Sequence, residues 1–597
     1  MYARRGRAET TIRIGARRRK GGKEVGILPY PVSRDGIRRV VQEKFGGYCH
    51  RPEAGDGIIF DMKNMWGGSF PAAASRPPRK KLRLFPEGSA VTRQYFDFCA
   101  WDGVFYLLGY VQSEGAIVYT LSKFDPASMT SPEVIPGWSF ESETLAVSLR
   151  TWVKLSDRLI IFPDGVVYDR ASGTVDTVEC SVTVTGAVFL DGSYAGVSAT
   201  ANTVKISGVS LGFRAGDGVT ISGCTVHPEN NMSLVLREVS EKAGYTYLSF
   251  YDNTFTVGTD GSYTETGEVT VARTLPADSA VEGAFECGGR VWAWGGGYIY
   301  ASKVDDVYNW NVFDGLTSDS WAVECPGGGK LSAGCAYLGY PTFFKEDGIY
   351  RVYGSDASEF RVVSTQCPGV REGGELSLAQ AGGYLFYHSK NGIMRYSGGM
   401  PSPVYRDFGE LRFLHSWGGS DGMRYYVRLS NSSGASSSVT YMYDTELGQW
   451  YCYDTLAYQR FSWDGNLWGM SNYGDIYLMG VSVGDTLGVL EADEAPQVSE
   501  IVFTDFTSGS VSRKGISKLL FRVVLEAGSS VTAYLRLNGT GGWIKAGEAS
   551  ASSAAKRTVS LPVIPRRCDS FSVKLTAAGS WKLLALSYEA YEGSDRH

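Results

Sequence analysis

Carboxylates set in turns are the residues of this chain with the most evident chemical potential. Asp102, Asp164, Asp347 and Asp464 each precede a glycine and a short apolar or aromatic run. Cleaving a glycosidic bond needs two carboxyl groups roughly 5–10 Å apart, one of them kept protonated. An aspartate in an Asp-Gly turn more commonly bonds nearby backbone N–H groups, and that use is expected of all four. Other catalytic signatures are missing: the sequence has no G-x-S-x-G elbow, no H-E-x-x-H and no Walker loop. Gly295-Gly296-Gly297 and Gly327-Gly328-Gly329 lack the Lys-Ser/Thr of a phosphate loop, Lys330 notwithstanding, and are expected to be strand turns. The ten cysteines stand singly, without a C-x-x-C, and the five histidines are scattered, so no zinc-ligand spacing exists. Free thiols in a reducing compartment are the expectation. Asp305-Asp306 could offer oxygen ligands to a cation, although a solvated turn is the simpler use. No catalytic, cofactor or metal residue is assigned, and the chain is expected not to be an enzyme.

Aromatic side chains are the second candidate chemistry. Trp292, Trp294, Tyr298, Tyr300, Tyr308 and Trp310 form the densest group. Alternation puts Trp292 and Trp294 on one strand face, and likewise Tyr298 and Tyr300. Exposed in a concavity they would stack on sugar rings; packed between sheets they are core, which is the favoured expectation.

The net charge of −5 is unevenly spread. Residues 1–50 hold 13 Lys/Arg and 4 Asp/Glu, a balance of 13 − 4 = +9, so the remainder carries −14. Arg4, Arg5, Arg7, Arg17, Arg18, Arg19 and Lys20 make a Gly-containing basic arm. Such an arm can contact DNA phosphates or dock on an acidic neighbouring subunit, and the second is the preferred expectation. No apolar run approaches the roughly 18 residues of a membrane span. The basic start is not followed by the apolar segment of a secretory signal, so synthesis in the cytoplasm without export by that route is expected.

The elements that must position these residues are short strands. Asp-Gly or Asn-Gly recurs before apolar runs at 102, 164, 347, 391, 421 and 464, joined by Gly474-Asp475. Such pairs favour tight hairpins, and hairpins recurring every few tens of residues indicate radially arranged four-stranded sheets. Together with 74 Gly, 36 Tyr and 13% aromatics, they predict an all-β fold. The predicted architecture is a β-propeller of about seven blades over 85–170 and 277–490, at about 43 residues per blade. A small β-barrel or sandwich is inserted at 171–276. An extended arm, 1–84, is broken by prolines and precedes it, and a β-sandwich, 495–592, closes the chain. The best helical candidate is Asp35–Lys44, with Ile37, Val40 and Val41 on one face.

The segment Arg290–Ser302, continued by Lys303–Trp310, resembles the "R-L-W…V-x-x-S-x-x-x-D-x-x-N-F" stretch of tailed-bacteriophage tail proteins. These are the nozzle proteins of short-tailed phages and the packaged-DNA stabilisation (hub) proteins. Asp61–Met65 with Phe70-Pro71 and Ser75-Arg76-Pro77 is similar to that group's "N-x…Y-P-x-L-x-x-R-P-G" peptide, with Pro78 and Arg79 where Gly is usual. Phe213–Ser222 and Tyr588–Ser594 are similar to modules of the same proteins. The resemblance implies a virion protein of the neck or tail, forming a homo-oligomeric ring, usually six-fold, below the portal. That ring would contact portal, adaptor and other tail proteins, retain packaged DNA and let it pass on ejection. The alternatives are a glycan- or receptor-binding propeller and a propeller glycoside hydrolase.

Overall fold

The computed structural model describes residues 37–592 except 87–92, 114–115, 143–147, 191–201, 252–254, 260, 276–280, 433–437, 480–489, 491–493, 496, 510–511, 554 and 563–566. The basic residues Arg4, Arg5, Arg7, Arg17, Arg18, Arg19 and Lys20 lie outside the described residues. The chain is all-β and propeller-like. Its few described helical residues are single turns at Pro52–Ala54, Pro228–Asn230 and Arg406–Phe408.

Seven four-stranded antiparallel sheets follow one another. Sheet 1 comprises Gln94–Trp101, Val104–Ser113, Ala116–Phe124 and Glu133–Ser142. Sheet 2 runs from Thr151–Leu155 to Thr174–Thr177, sheet 3 from Gly283–Cys287 to Trp321–Glu324, and sheet 4 from Ala333–Tyr337 to Arg361–Gln366. Sheet 5 runs from Ala379–Ala381 to Ser402–Pro403 and sheet 6 from His415–Ser420 to Gln449–Asp454. Sheet 7 has Tyr458–Asp464, Asn466–Ser471 and Ile476–Leu478, and takes its fourth strand, Lys80–Lys81, from the start of the chain. The first strands neighbour one another around a common channel: sheet 2 beside 3, 3 beside 4, 5 beside 6, 6 beside 7, and 7 beside 1. Gln380 Nε2 bonds the Ala336 carbonyl at 2.7 Å between sheets 5 and 4. Asp97 of sheet 1 receives the Arg150 N–H, just before sheet 2, at 2.6 Å.

The turn signals are distributed differently from the one-per-sheet pattern expected. Sheet 7 uses two of them, Asp464-Gly465 and Gly474-Asp475, and sheet 3 none. Sheet 3 turns instead at Gly288-Gly289 and Gly296-Gly297, where paired glycines at positive φ provide the same backbone freedom.

Between sheets 2 and 3 the chain makes an eight-stranded antiparallel sheet, Cys180–Thr185 through Glu268–Arg273, around its own core of Phe189, Val204, Leu236, Leu248 and Val271. The C-terminal region forms two further sheets. Phe506, Phe571 and Tyr588 stack in their shared core, with centroids 5.0–5.4 Å apart.

The segment before sheet 1 is woven into the other modules. Ile37–Gln42 pairs with Trp581–Glu592, Ile59–Lys63 with Val498–Phe503, and Ala73–Ser75 again with Trp581–Glu592. The helix expected over Asp35–Lys44 is therefore replaced by a strand. Ile-Arg-Arg-Val-Val is rich in β-branched residues, and an antiparallel partner completes its backbone hydrogen bonds, whereas a ten-residue helix would be marginal.

Candidate functional site

The first strands of the seven sheets enclose a channel cavity of about 1250 Å³. Its walls include Phe98, Trp152, Lys154, Trp294, Phe461 and Trp463, and one mouth carries Glu282, Lys330, Glu346, Asp347, Glu372 and Lys390. Glycines 334 and 418 let neighbouring sheets approach closely around it: a Cβ at Gly334 would lie 2.7 Å from the Phe285 ring, and one at Gly418 would run into the Ser377 carbonyl oxygen.

Charge in this cavity is mixed and mostly committed. Glu346 pairs with Lys390 at 2.5 Å and accepts the Glu372 N–H at 3.1 Å. The hydrogen bond from Lys390 holds the Glu346 carboxyl below its ordinary range. Glu282 lies 3.6 Å from Lys330. Arg460 holds Asp97 through Nε at 2.6 Å and Nη2 at 2.9 Å. Lys345 is buried, and its ammonium is solvated by the carbonyls of Pro326 at 3.0 Å and Gly328 at 2.5 Å. Gly328 of the Gly327-Gly328-Gly329 run thus lends its carbonyl to a lysine. Trp463 is half exposed beside the turn of its hairpin, and the buried indole nitrogen of Trp152 has no protein partner. Among the described residues no three His, Cys, Asp or Glu side chains gather for a metal ion.

The four turn aspartates divide between the two ends of the channel. At one end the Asp464 carboxylate accepts the Gly103 N–H at 2.6 Å, so one hairpin caps the next, while Asp102 pairs with Arg170 of sheet 2 at 2.8 Å. At the other end Asp164 pairs with Arg150 at 2.6 Å, and Asp347 is exposed at the mouth. Binding to the turn's own backbone describes Asp421, whose carboxylate accepts Met423 N at 3.0 Å and Arg424 N at 2.6 Å. Asp102 and Asp464 instead bridge neighbouring sheets, because a turn at a sheet's end lies within reach of the next sheet, while Asp164 ties the turn of sheet 2 to the residue that enters its first strand.

The aromatic group is core. Trp292 and Trp310 are fully buried, and Trp294, Tyr300 and Tyr308 nearly so. Trp292 packs on Phe360 of sheet 4 at 5.1 Å, Trp294 on Phe343 of sheet 4 at 6.1 Å, and Trp310 on Phe162 of sheet 2 at 6.2 Å. Only Tyr298 of the six is exposed.

The segment Arg290–Trp310 braces three modules. Arg290 is buried and donates to the carbonyls of Ser302 at 2.8 Å, Asp319 at 2.5 Å and Thr317 at 2.7 Å, shaping the long loop of sheet 3. Asp306 is not poised for a cation: it accepts Tyr308 N at 2.9 Å and Asn309 Nδ2 at 2.6 Å. Asn309 then reaches the insert, donating to Asp217 at 3.2 Å and accepting Gly218 N at 2.8 Å. Asp217 also holds the buried Arg273 at 2.5 Å. The guanidiniums of Arg214 and Arg273 lie over the Tyr308 ring at 3.9 and 5.0 Å.

Ser75-Arg76-Pro77 forms a second brace. Arg76, fully buried, pairs with Glu494 at 2.6 Å and Asp454 at 3.7 Å, and Arg79 pairs with the same two at 2.6 and 3.5 Å. This cluster sits beside the closing strand Lys80–Lys81. Asp97, Asp217, Arg273, Asp454 and Glu494 were not singled out from sequence. Their only signal is a charge inside or beside an apolar strand, such as Asp97 within Tyr-Phe-Asp-Phe.

No family model and no curated protein matches the sequence. Among solved structures the chain is similar to the exo-beta-1,3-galactanase Pc1,3Gal43A of Phanerochaete chrysosporium with galactose. The identity is 8%, over 86% of this chain and 100% of that one, at a TM-score of 0.20. It is also similar to a glycoside hydrolase family 43 arabinoxylan arabinofuranohydrolase of Bacillus subtilis, with 9% identity over 84% and 99% and a TM-score of 0.15. The expectation that the chain is not an enzyme is corrected on this point: the solved structures that align with most of it are sugar-cleaving enzymes, so that exclusion is withdrawn. TM-scores this low assign no activity.

Proposed function

We propose that the chain is a structural subunit of a tailed-phage neck or tail, a seven-bladed propeller that assembles as a homo-oligomeric ring around the path of the genome. One observation carries this reading. Two of the segments that resemble the nozzle and hub proteins, Arg290–Trp310 and Asp61–Pro78, are places where buried polar side chains lock separate modules together. Residues used in this way serve rigidity, which a particle component under load requires, and the basic residues before Ile37 would lace onto neighbouring copies. Mass measurement and negative-stain imaging of the full chain test this: rings of one copy number are expected. A monomer at every concentration, alone and with virion fractions, overturns the ring.

A second reading, recognition or cleavage of a saccharide in the channel, is favoured by the half-exposed Trp463 and the unpartnered indole N–H of Trp152 in the same cavity. A flat aromatic face beside polar groups suits a sugar ring. Screening the wild type and Trp463→Ala on an oligosaccharide panel, for binding and for hydrolysis, tests it. Binding that is lost in the variant supports this reading; no binding and no hydrolysis with the wild type removes it.

A further inference from the structure

The two ends of the propeller-like body differ in chemistry. Antiparallel sheets place the turn between the first and second strands, and that between the third and fourth, at one end. Contacts between sheets confirm the shared end: Asp464 caps Gly103, Gly382 N donates to the Gly422 carbonyl at 2.8 Å, and Leu338 packs close by Gly398. The opposite end holds ion pairs such as Lys390–Glu346, Arg150–Asp164 and Lys330–Glu282.

At the first end five consecutive sheets each present an exposed apolar side chain on or beside a turn. These are Leu316 (58% exposed) of sheet 3, Leu338 (55%) of sheet 4, Met400 (66%) of sheet 5, Met423 (56%) of sheet 6 and Trp463 (48%) of sheet 7. A single exposed apolar residue is ordinary; a series over five neighbouring sheets is not. At roughly 100 Å² each they offer on the order of 500 Å² of apolar surface, most of one partner's share of a standard interface of about 800 Å² per side.

We infer that this end is a docking face for a second copy of the same chain. Two observations select that occupant. The apolar area approaches what a stable dimer needs, and its flat spread over five sheets suits a broad protein face better than a peptide. The carboxylates of the first hairpin turn in sheets 1, 6 and 7 are also taken up within the chain: Asp102 by Arg170, Asp421 by Arg424 and the Met423 N–H, and Asp464 by Gly103. These three therefore add no unpaired charge to a contact between two such faces. A nucleic acid would call for a row of uncommitted cations instead. The inference rests on the reading that copies of this chain assemble, and adds to the ring a second kind of contact: two like faces close at a pair, so rings or single copies would meet face to face.

The test uses the full chain. Peroxide oxidation of Met400 and Met423 is followed by mass spectrometry across a dilution series, with sedimentation in parallel. Both methionines should oxidise several-fold more slowly at concentrations where the protein associates. Leu338→Glu and Met423→Glu, with unchanged circular dichroism and melting, should weaken association about tenfold or more each. Association with both methionines oxidised at the monomer's rate overturns the face and leaves the ring reading standing. Face-protected dimers that never build rings support the face and overturn the ring. A protein that stays monomeric overturns both.

Discussion

Asn309 and Asp217 hydrogen-bond at 3.2 Å across the boundary between sheet 3 and the inserted domain, 92 residues apart in the chain. Asp217 uses its other carboxylate oxygen on Arg273, which is itself buried. One carboxylate therefore serves two modules at once.

Removing that carboxylate leaves a buried guanidinium without an anion, which typically costs about 3–5 kcal/mol. Asp217→Ala is expected to lower stability by that order and to open the insert to protease before the sheets unfold. Asn309→Ala, which removes a neutral side chain and leaves the Asp217–Arg273 pair in place, should cost about 1.5–3 kcal/mol. Limited proteolysis with denaturant titration checks both, and an insert equally resistant in Asp217→Ala would refute the brace.

The cluster at the closing strand gives a parallel expectation. Arg76→Ala leaves Asp454, which is almost fully buried, facing only Arg79. Amide exchange at Tyr477 and Leu478, which pair with Lys80–Lys81, should accelerate at least tenfold, consistent with loss of about 1.4 kcal/mol or more of local stability. Unchanged exchange at these two amides would show that the clasp holds without the charges.

Acid should destabilise the fold in two stages. His388 is buried against Ser416, and burial first, then Arg371 and His415, push its pKa down to about 3. An unfolded histidine titrates near 6.5, so the folded state binds fewer protons between these values. The stability gained by keeping His388 neutral is complete above about pH 6.5 and is lost as pH falls towards 3. Glu265 extends the loss. Its burial alone would raise the carboxyl, but hydrogen bonds from Tyr263 at 2.5 Å and Thr225 at 3.0 Å bring it to about 2. Its contribution is present above about pH 4.5 and fades below. Urea midpoints from pH 8 to 4 should decline, and His388→Gln should flatten the upper part. A midpoint constant down to pH 4.5 in the wild type contradicts the assignment to His388.

The aromatics separate packing from recognition. Trp292→Ala empties a fully buried site between sheets 3 and 4 and should cost about 3–5 kcal/mol. Trp463→Ala, half exposed in the channel, should cost less than about 1.5 kcal/mol. Thermal melts of the two variants side by side decide; comparable losses would mean that Trp463 is a packing residue.

Much of the scaffold was legible because turns are local. Asp102-Gly103, Asn391-Gly392 and Asp421-Gly422 predict their hairpins from two residues each, since the residues themselves meet the turn's demand on φ. Sheet 3 escaped the pattern because Gly-Gly meets the same demand without an acidic residue. The strand Ile37–Gln42 read as helix because its partner, Trp581–Glu592, lies more than 500 residues away and no local signal encodes it. The braces were illegible for the same reason. Asn309 and Asp217 fall in segments that the resemblance marks, but nothing in the sequence joins them to each other or to Arg273, and they acquire their role only when the insert folds back on sheet 3. The carboxylates of the turns were visible as residues, but their partners were not: Arg170 meets Asp102 only when sheets 1 and 2 pack side by side, and Arg150 meets Asp164 only when sheet 2 has formed.

The last sheet is completed by Lys80–Lys81. These residues leave the ribosome early, while Tyr477 and Leu478 follow about 400 residues later, a wait of roughly 20–80 s at about 5–20 residues per second. Throughout that interval the early strand lacks this partner, and chains terminated before Tyr477 never acquire it. Their sheets would present raw edges, the form most prone to pair with other chains. Synthesis past Leu478 thus acts as a built-in length check, and a chain cut short of it cannot shut its own circle.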